Sequence, residues 1–497
     1  MNGWSKLHAI NLLNKIRQLL LGINLALGRL ILLSDNEVAR VHETSLEILQ
    51  KIGIRVLSKE VQSLLAENGA EVDAARSIVK IPSSLVEEAI KKAPKEMVLC
   101  ARNPKFDLKL PTTDFPFVGP SGCAPFMNDL ETGEKRMAKA SDLRDFAILC
   151  DYLDRVDFFW PVVAPKDIPS AVQTIRGLAL AFNNIKKHVQ WEALSGEEAR
   201  WQIKLASAVV GDAKNLKRRP IFSSVHCPVA PLVFEKGSTE AMVELARAGI
   251  PVIPMSMALC GTTAPATIAG TLAIVNSENL GALVILECAN PSAPMIYCAE
   301  SGSADMRTGA INYSGPEWPL MGAGVAQMAR FYGIPCYPTG IGMDETPRDW
   351  EELIAFSQNL VLDASSRGDI TSGFGSLENA EISSLEQVIL DVEAWEYARA
   401  YLRSFRVDEE TLGFDVISEV GPGGNFLGTK HTLEHFQQEI WLKKEATILE
   451  PSTSGSLIER AKEKVRQILS THVPPQLEEE VNREINQILR DCEKNML

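Results

Sequence analysis

The stretch IPVIPMSMALCGTTAPATIAGTLAIVNSE, residues 250–278, decides the fold that this sequence predicts. An apolar run ends in the polar turn CGTT at 260–263, and a helix of small residues opens near Pro265. Proline suits the first turn of a helix because its missing backbone N–H would have no partner there. We therefore predict a buried parallel strand, a polar turn and a helix that covers the strand. Such turns lie at the carboxyl ends of strands, where α/β folds place their chemistry.

The same order of strand and helix recurs eight times between residues 115 and 404. The predicted strands are 117–122, 158–165, 188–193, 220–228, 251–261, 294–300, 334–342 and 370–376. The predicted helices are 140–154, 169–185, 196–210, 235–248, 265–288, 316–332, 348–366 and 383–404. Eight strands that alternate with eight helices predict an α/β fold of the (β/α)8 TIM barrel type. A doubly wound open sheet is the alternative, because spacing alone does not show closure.

Helical segments are predicted on both sides of the barrel, which we assign to residues 115–404. Residues 34–114 form a mainly helical N-terminal cap, in which Ser34 with Glu37, and Ser84 with Glu87, have the spacing of a capping box. Residues 405–497 form a C-terminal extension that ends in a charged helical tail. One apolar stripe of this tail is predicted to be a packing face. It consists of Ile458, Ala461, Val465, Ile468 and Leu469.

Residues 1–33 contain the apolar run LLLGINLALGRLILL, preceded by Lys6, Lys15 and Arg17. The run is shorter than the roughly 20 residues that a membrane-spanning helix needs, and Arg29 interrupts it. We predict an amphipathic helix that packs on the protein or on another subunit. A membrane-surface anchor and a signal peptide are the alternatives.

The composition limits the partners and the compartment. The net charge of −14 over 497 residues argues against nucleic acid, since phosphate binding needs clustered lysine and arginine. The nine cysteines show no CxxC spacing, which favours a reducing compartment and predicts a cytoplasmic protein.

The carboxyl ends of the eight strands would form the active site of such a barrel. His226 is the one histidine there, and it is either a general base or a hydrogen-bonded structural residue. Five cysteines lie at or near strand ends, so that a zinc–thiolate site is one alternative, although no two are spaced as a ligand pair. They are Cys123, Cys227, Cys260, Cys298 and Cys336. A second alternative is a phosphate site at SGFGS, 372–376. Arg367 is the only basic residue near this segment in the sequence.

Several motifs resemble the trimethylamine methyltransferase family. They are GTTAPATIAGTLAIVNSENL (261–280), ADMRTGA (304–310), PEWPLMGAGVAQMARFYGIP (316–335), TGIGMD (339–344) and GPGGNFLGTKHTLEHF (421–436). The resemblance spans roughly residues 34–445. It implies a (β/α)8 barrel that moves a methyl group from a methylated amine to the cobalt of a separate corrinoid protein.

The loop after the seventh predicted strand departs from one branch of that family. The trimethylamine enzymes of methanogens carry pyrrolysine about where this chain has Gly342-Met343-Asp344-Glu345. With standard residues there, the chain resembles the non-pyrrolysine members, several of which demethylate quaternary amines such as glycine betaine.

The resemblance also implies roles for residues at the strand ends. A quaternary ammonium leaves as a neutral amine, so that the protein binds the cation through aromatic faces and carboxylates and needs neither metal nor general acid. The candidate catalytic residues are Glu192, His226, Asp344 and Glu345. The candidate substrate-binding residues are Trp160, Trp191, Thr262, Glu300, Tyr337, Trp350 and Phe374.

The expected partner is a cognate corrinoid protein, because the chain lacks the Asp-x-His-x-x-Gly signature of corrinoid binding. No cofactor is expected to be tightly bound; the corrinoid (cobalamin) would be presented by that partner. Residues expected to face it are Ser303, Arg307 and Gly342. We also expect a homo-oligomer. Two rival functions are a phosphate-binding TIM-barrel enzyme such as an aldolase, whose usual Schiff-base lysine is missing from the strand ends, and a non-catalytic barrel binding protein.

Overall fold

The computed structural model describes residues 29–345, 350–440, 448–449 and 455–497. Backbone contacts divide the chain into two compact units. The larger comprises Leu30–Arg399 with Thr447–Leu497, and the smaller Met1–Arg29 with Ala400–Ala446. The domain boundaries that the sequence suggested stay predictions. The predicted amphipathic helix falls almost entirely on residues 1–28, which lie outside the described residues.

Eight parallel strands form a closed barrel in the larger unit. Strands β1–β8 are Phe117–Pro120, Phe158–Phe159, His188–Glu192, Phe222–His226, Val252–Ser256, Tyr297–Ala299, Cys336–Tyr337 and Ile370–Phe374. Parallel pairing runs from β2 through β7, and β8 pairs with β1. Backbone hydrogen bonds from Asp157 N to Val118 O, and from Asp369 N to Cys336 O, join the two remaining edges. The predicted barrel is confirmed, and the open sheet is excluded.

Eight helices cover the barrel at the predicted places. Helices α1–α8 are Ala140–Tyr152, Gln173–Asn184, Gly196–Val210, Lys236–Ala248, Ile268–Ala289, Glu317–Tyr332, Trp350–Ser366 and Leu385–Leu402. Helix α5 starts three residues after Pro265, because the Thr267 side chain caps it by accepting from Gly270 N. By length and composition α5 could cross a membrane, but 78% of its most apolar window is buried inside the protein. It is therefore a core helix.

The N-terminal cap packs against α5. Its helices are Asp35–Glu47, Lys59–Glu67 and Ser83–Lys92, with a π-helical turn at Ile48–Ile52. The strands of its small sheet are Ile54–Val56, Glu71–Asp73 and Ile78–Lys80, joined by Val233–Phe234. The capping box of Ser34 and Glu37 is confirmed. The one predicted at Ser84 is wrong, because the helix already begins at Ser83, with Pro82 as its N-cap and no side-chain cap.

A β-hairpin closes one end of the barrel. Strands Met97–Leu99 and Leu108–Leu110 pair antiparallel, and the 3-10 turn Pro104–Phe106 lies between them. Side chains of both hairpin strands join the apolar core of the lumen. That core includes Leu99, Leu108, Leu110, Phe158, Trp160, Val225, Ile253, Met255, Cys298 and Tyr337. Ligands must therefore enter from the opposite end, at the carboxyl ends of the strands.

Short strands in the loops form a rim around that open end. Leu259–Cys260, Gly302–Ala304 and Ile311–Asn312 make a three-stranded sheet after β5 and β6. A four-stranded sheet after β1 and β8 contains Phe126–Asn128, Lys135–Met137, Ser376–Leu377 and Ile382–Ser383. The rim is thus built, in part, from backbone-paired segments.

Two helices of the tail belong to the larger unit. Leu457–Thr471 buries Ala461, Val465 and Ile468, whereas Ile458 of the predicted stripe is 49% exposed. Glu479–Met496 packs its apolar face against residues of α2 and α3. Outside the barrel layers the chain also has a helix at Ala213–Arg218 and a 3-10 turn at Ser170–Val172.

The described part of the smaller unit is mainly helical. Its helices are Glu409–Leu412, Phe414–Val420 and Lys430–Glu439. Several of its large apolar side chains are exposed, including Phe414 at 75% and Leu427 at 84%. The Gly-rich turn 421–428 lies between its second and third helices.

Candidate active site

Strand alternation sorts the candidate residues of β3 and β4, because neighbouring residues on a strand point to opposite sides of the barrel wall. Trp191 Nε1 donates to the carbonyl of Thr174, in the first turn of α2, at 3.0 Å, so Trp191 points outward and Glu192 inward. His226 Nδ1 lies 3.1 Å from Ser238 Oγ of α4, which places His226 on the outer side and Cys227 on the lumen side.

Three predicted site residues therefore lie behind the wall rather than in the lumen. His226 is hydrogen-bonded at both ring nitrogens, and burial lowers its pKa to about 3, so that it is neutral at physiological pH. The Phe374 ring packs on Trp395 of α8, with 6.4 Å between ring centroids. Since Trp191, His226 and Phe374 make their contacts with the helices, we leave them out of the proposed site.

Two predicted carboxyls do point into the lumen. Glu300 follows β6, is 9% exposed, and accepts from the Tyr337 hydroxyl at 3.4 Å. Burial raises the pKa of Glu300 to about 7, against the opposing effect of that hydrogen bond. Burial likewise raises the pKa of Glu192, while a hydrogen bond with Cys123 opposes the rise. Both carboxyls are thus poorly solvated and lack a basic partner among these contacts.

Cys227 links the two carboxyls electrostatically. Burial first, and then the negative charges of Glu192 and Glu300, raise the pKa of its thiol to about 12. Its side chain is nevertheless exposed, as expected for a group that lines a deep opening. We call the part of the lumen lined by Glu192, Cys227, Glu300, Tyr313 and Tyr337 the chamber.

Tyr313 was missed by sequence reasoning. It comes from the rim after β6, and its ring lies on Trp318, with 4.3 Å between centroids. Burial and then the charge of Glu300 raise the pKa of its hydroxyl well above the usual value. Trp318 Nε1 donates to Gly340 O at 2.8 Å, and a Cβ at Gly340 would collide with Glu300 Oε1. Glycine at 340 therefore makes room for the Glu300 carboxyl.

The loop after β7 places its predicted residues differently. The Asp344 carboxylate accepts from Tyr313 N at 2.7 Å and from Ser314 N at 2.9 Å, so that it holds the segment that carries Tyr313. Glu345 is exposed. A Cβ at Gly342 would approach the Tyr313 ring to 2.5 Å. The side chain of Trp350 lies outside the described part of the chain.

The remaining predicted residues lie on the rim. Ser303 Oγ donates to Glu317 at 3.0 Å. The Arg307 side chain is 91% exposed and pairs with Asp305 at 3.3 Å. Thr262 is exposed, with Oγ1 3.4 Å from Leu259 O. Their predicted contacts with substrate or partner stay predictions.

Within residues 29–345, 350–440, 448–449 and 455–497, no group of three or more His, Cys, Asp and Glu side chains could hold a metal ion. All nine cysteines are free.

Similar proteins identify the family. The family model described as Trimethylamine methyltransferase (MTTB) matches residues 9–496. A protein named trimethylamine methyltransferase MttB, from Desulfitobacterium hafniense strain DCB-2, is 32% identical and covers 93% of this chain and 93% of its own. Glycine betaine methyltransferase from D. hafniense strain Y51 is 29% identical, over 91% of this chain and 95% of its own.

A solved structure supports the fold. The monomethylamine methyltransferase (MtmB) of Methanosarcina barkeri aligns with a TM-score of 0.50 at 12% identity, over 94% of this chain and 95% of that chain. At this identity the likeness concerns the fold alone. The match of the family model over nearly the whole length carries the assignment. The chain therefore belongs to the trimethylamine methyltransferase (MTTB) family.

Proposed function

We propose that this chain removes a methyl group from a methylated amine, a quaternary ammonium in particular, and passes it to the cobalt(I) of a corrinoid on a separate protein. The observation that carries the proposal is the chamber, which holds one buried carboxyl, Glu300, and one half-buried carboxyl, Glu192, beside tyrosine rings. The sequences of β1–β8 contain no lysine or arginine that could neutralise them. Relatives named for trimethylamine and for glycine betaine support an amine donor.

The carboxyls would bind the cation. Burial raises the pKa of Glu300 to about 7. The loss of hydration on burial therefore destabilises the ionised carboxylate more than its hydrogen bond from Tyr337 stabilises it. A positive charge within about 4–6 Å favours the ionised carboxylate. The faces of Tyr313 and Tyr337 would add cation–π attraction, which strengthens in a desolvated site.

Orientation and exclusion of water are the other tasks of the protein. The corrinoid supplies a strongly nucleophilic cobalt, and the leaving amine is neutral, so that no side chain must donate a proton. The chamber would hold one methyl group toward the open end, where the reacting atoms must come within about 3–3.5 Å. The closed hairpin end and the apolar core below would exclude bulk water.

Partner, compartment and assembly are proposed on the same basis. The chain has no Asp-x-His-x-x-Gly, so that we assign the corrinoid to a partner that docks on the rim near Ser303, Arg307 and Gly342. The standard residues at 342–345 favour a quaternary donor over trimethylamine. The nine free cysteines support a cytoplasmic protein, and we propose a homo-oligomer.

Methyl transfer to free cob(I)alamin tests the proposal. The panel contains tetramethylammonium, choline, glycine betaine and trimethylamine, and the absorbance of the corrinoid reports the transfer. We expect transfer from at least one quaternary amine, and a Glu192→Gln variant at least tenfold slower. The matched control is Glu197→Gln, at an exposed position of α3, which should retain the rate. Transfer from no amine would contradict the proposal and favour the binding-protein alternative.

A further inference from the structure

Two buried polar side chains near the chamber have no hydrogen-bond partner in the described part of the chain. They are the Gln190 amide, both of whose polar atoms are unpartnered, and the indole Nε1 of Trp160. Gln190 is 0% and Trp160 8% exposed. Buried polar groups in folded proteins are nearly always hydrogen-bonded. The three atoms are therefore hydrogen-bonding groups that the protein itself leaves unused and that a polar ligand could satisfy.

The two side chains are neighbours on the lumen side. The register of β2 and β3 pairs Val189 with Phe159, so that Gln190 and Trp160 form the next pair. Trp160 belongs to the apolar core of the lumen. Gln190 shares the lumen side of β3 with Glu192, because side chains two residues apart point to the same face. The unpartnered groups thus lie on the same side of two adjacent segments of the barrel.

Their depth sets the size of the ligand. Glutamine and glutamate side chains have equal lengths, so that the heads of Gln190 and Glu192 are offset by two residues, about 6–7 Å along the strand. Gln190 is the deeper of the two, since the strand runs toward the open end. Three extended bonds cover about 3.8 Å, so that roughly five bonds separate an ammonium nitrogen beside Glu192 from an atom beside Gln190.

The charges set the chemical class. The Gln190 amide offers a donor and an acceptor, and the Trp160 indole offers a donor, which together suit an uncharged oxygen. A carboxylate at this place would be repelled by Glu192 and Glu300. The strand sequences offer no lysine or arginine to offset that repulsion.

We propose that Gln190 and Trp160 form a tail subsite, which binds an uncharged oxygen of the methylated amine (hydroxyl, ether or carbonyl) roughly five bonds from the ammonium nitrogen. The tail points toward the hairpin end of the barrel, and the methyl groups point toward the open end. This inference rests on the proposed function, since it assumes that the ammonium group lies in the chamber.

Three ligands of matched length test the subsite by calorimetric titration of the full-length protein. They are (4-hydroxybutyl)trimethylammonium, pentyltrimethylammonium and 4-(trimethylammonio)butanoate. We expect the hydroxyl compound to bind about tenfold more tightly than the pentyl compound, as one or two buried hydrogen bonds would give. The butanoate should bind more weakly than the hydroxyl compound.

Two variants assign the preference to these residues. Gln190→Leu and Trp160→Phe should reduce the preference for the hydroxyl compound to about threefold or less. In both variants the affinities for the hydroxyl and pentyl compounds should approach one another. The matched control is Gln62→Leu, at a buried glutamine of the N-terminal cap that donates to Val56 O. Trp160→Phe keeps an aromatic ring, and it decides the question if Gln190→Leu does not fold.

The outcomes separate the tail subsite from the proposed function. Equal affinity for the hydroxyl and pentyl compounds would mean that water alone occupies the space, and would overturn the subsite. Butanoate binding as tightly as the hydroxyl compound would overturn the uncharged class. A preference that persists in both variants would remove these residues from the subsite. Failure of every amine, tetramethylammonium included, to bind or transfer a methyl group would instead overturn the proposed function.

Discussion

The two ends of the same barrel treat buried polar groups in opposite ways. At the amino end of β3, Lys187 is 1% exposed, and its ammonium donates to the carbonyls of Cys150, Leu153 and Val156 at 2.7, 2.6 and 2.5 Å. The next residue, His188, is hydrogen-bonded through both ring nitrogens. Every polar atom of these two side chains therefore has a partner.

Farther along the lumen, from Gln190 to the open end, hydrogen-bond partners are missing or incomplete. The amide of Gln190 and the indole N–H of Trp160 lack a partner, and burial raises the pKa of Glu192 and of Glu300. Desolvated polar groups without partners lower the stability of the fold. They are retained where a ligand supplies the missing hydrogen bond or charge. Under the proposed function, the amino end stabilises the fold and the carboxyl end serves the ligand, as in other barrels of this type.

The largest effect on stability should come from Lys187→Met. The substitution leaves three carbonyls unpartnered and removes a cation from the carboxyl-terminal end of α1. We expect the free energy of unfolding to fall by about 3 kcal/mol or more, measured by urea denaturation. Lys204→Met, at an exposed position of α3, should change it by about 0.5 kcal/mol or less. Equal effects at both positions would break the contrast between the two ends.

Glu300→Gln should affect activity and stability in opposite directions. It removes a chamber charge that would hold the cation, and we expect methyl transfer to fall about 100-fold, which corresponds to about 2.7 kcal/mol. The free energy of unfolding should stay constant or rise, because the buried ionised form is lost. Glu345→Gln, at the exposed position, is the control for both measurements. A destabilised variant with a normal rate would assign Glu300 to the fold instead.

The pH dependence of amine binding should test whether the Glu300 carboxylate binds the cation. The pKa of Glu300 is raised to about 7 by burial, so that the chamber loses a negative charge as the pH falls below 7. We expect affinity for tetramethylammonium to increase about tenfold from pH 6 to pH 8. The profile should flatten in Glu300→Gln. The same raised pKa means that Glu300 lowers stability as the pH rises through 7, so that the stabilising effect of Glu300→Gln should be greatest above pH 7.

The smallest effect should come from the rim. Arg307 is 91% exposed, and Arg307→Ala should raise the corrinoid-partner concentration needed for half-maximal transfer about threefold, because an exposed rim charge acts mainly on association. Amine affinity, titrated separately, should not change. Loss of amine affinity at an unchanged dependence on partner would place Arg307 in substrate binding and remove it from the docking surface.

The fold could be predicted because its signals are local. Each predicted strand contains an observed strand, and each predicted helix overlaps an observed one. The family assignment is confirmed by the match over residues 9–496, and the methyltransferase class that it implied agrees with the named relatives. The helix starts near Pro265 and Ser84 were less accurate, since a cap depends on which side chain reaches the free N–H groups.

The candidate site could be predicted only in part. Of the residues chosen by strand-end position, Glu192, Glu300 and Tyr337 lie in the lumen, and their roles stay predictions. It did not separate them from Trp191 and His226, although in β3 the polar residues His188, Gln190 and Glu192 alternate with the apolar Val189 and Trp191. The sequence could have indicated that Gln190 faces the lumen, since it lies two residues before Glu192 and therefore on the same face of the strand.

The sequence by itself determined the order of strands and helices, the family, the acidic net charge and the absence of lysine and arginine from the strands. These properties depend on each residue and its near neighbours in the chain. Only the tertiary structure decided which side chains face the lumen and which loops reach the chamber. Tyr313 is held there by Asp344, 31 residues away, and Gln190 meets Trp160 through the β2–β3 register. Such contacts arise from barrel closure and strand register, which bring together segments far apart in the chain. The sequence of one such segment does not indicate which other segment it will contact.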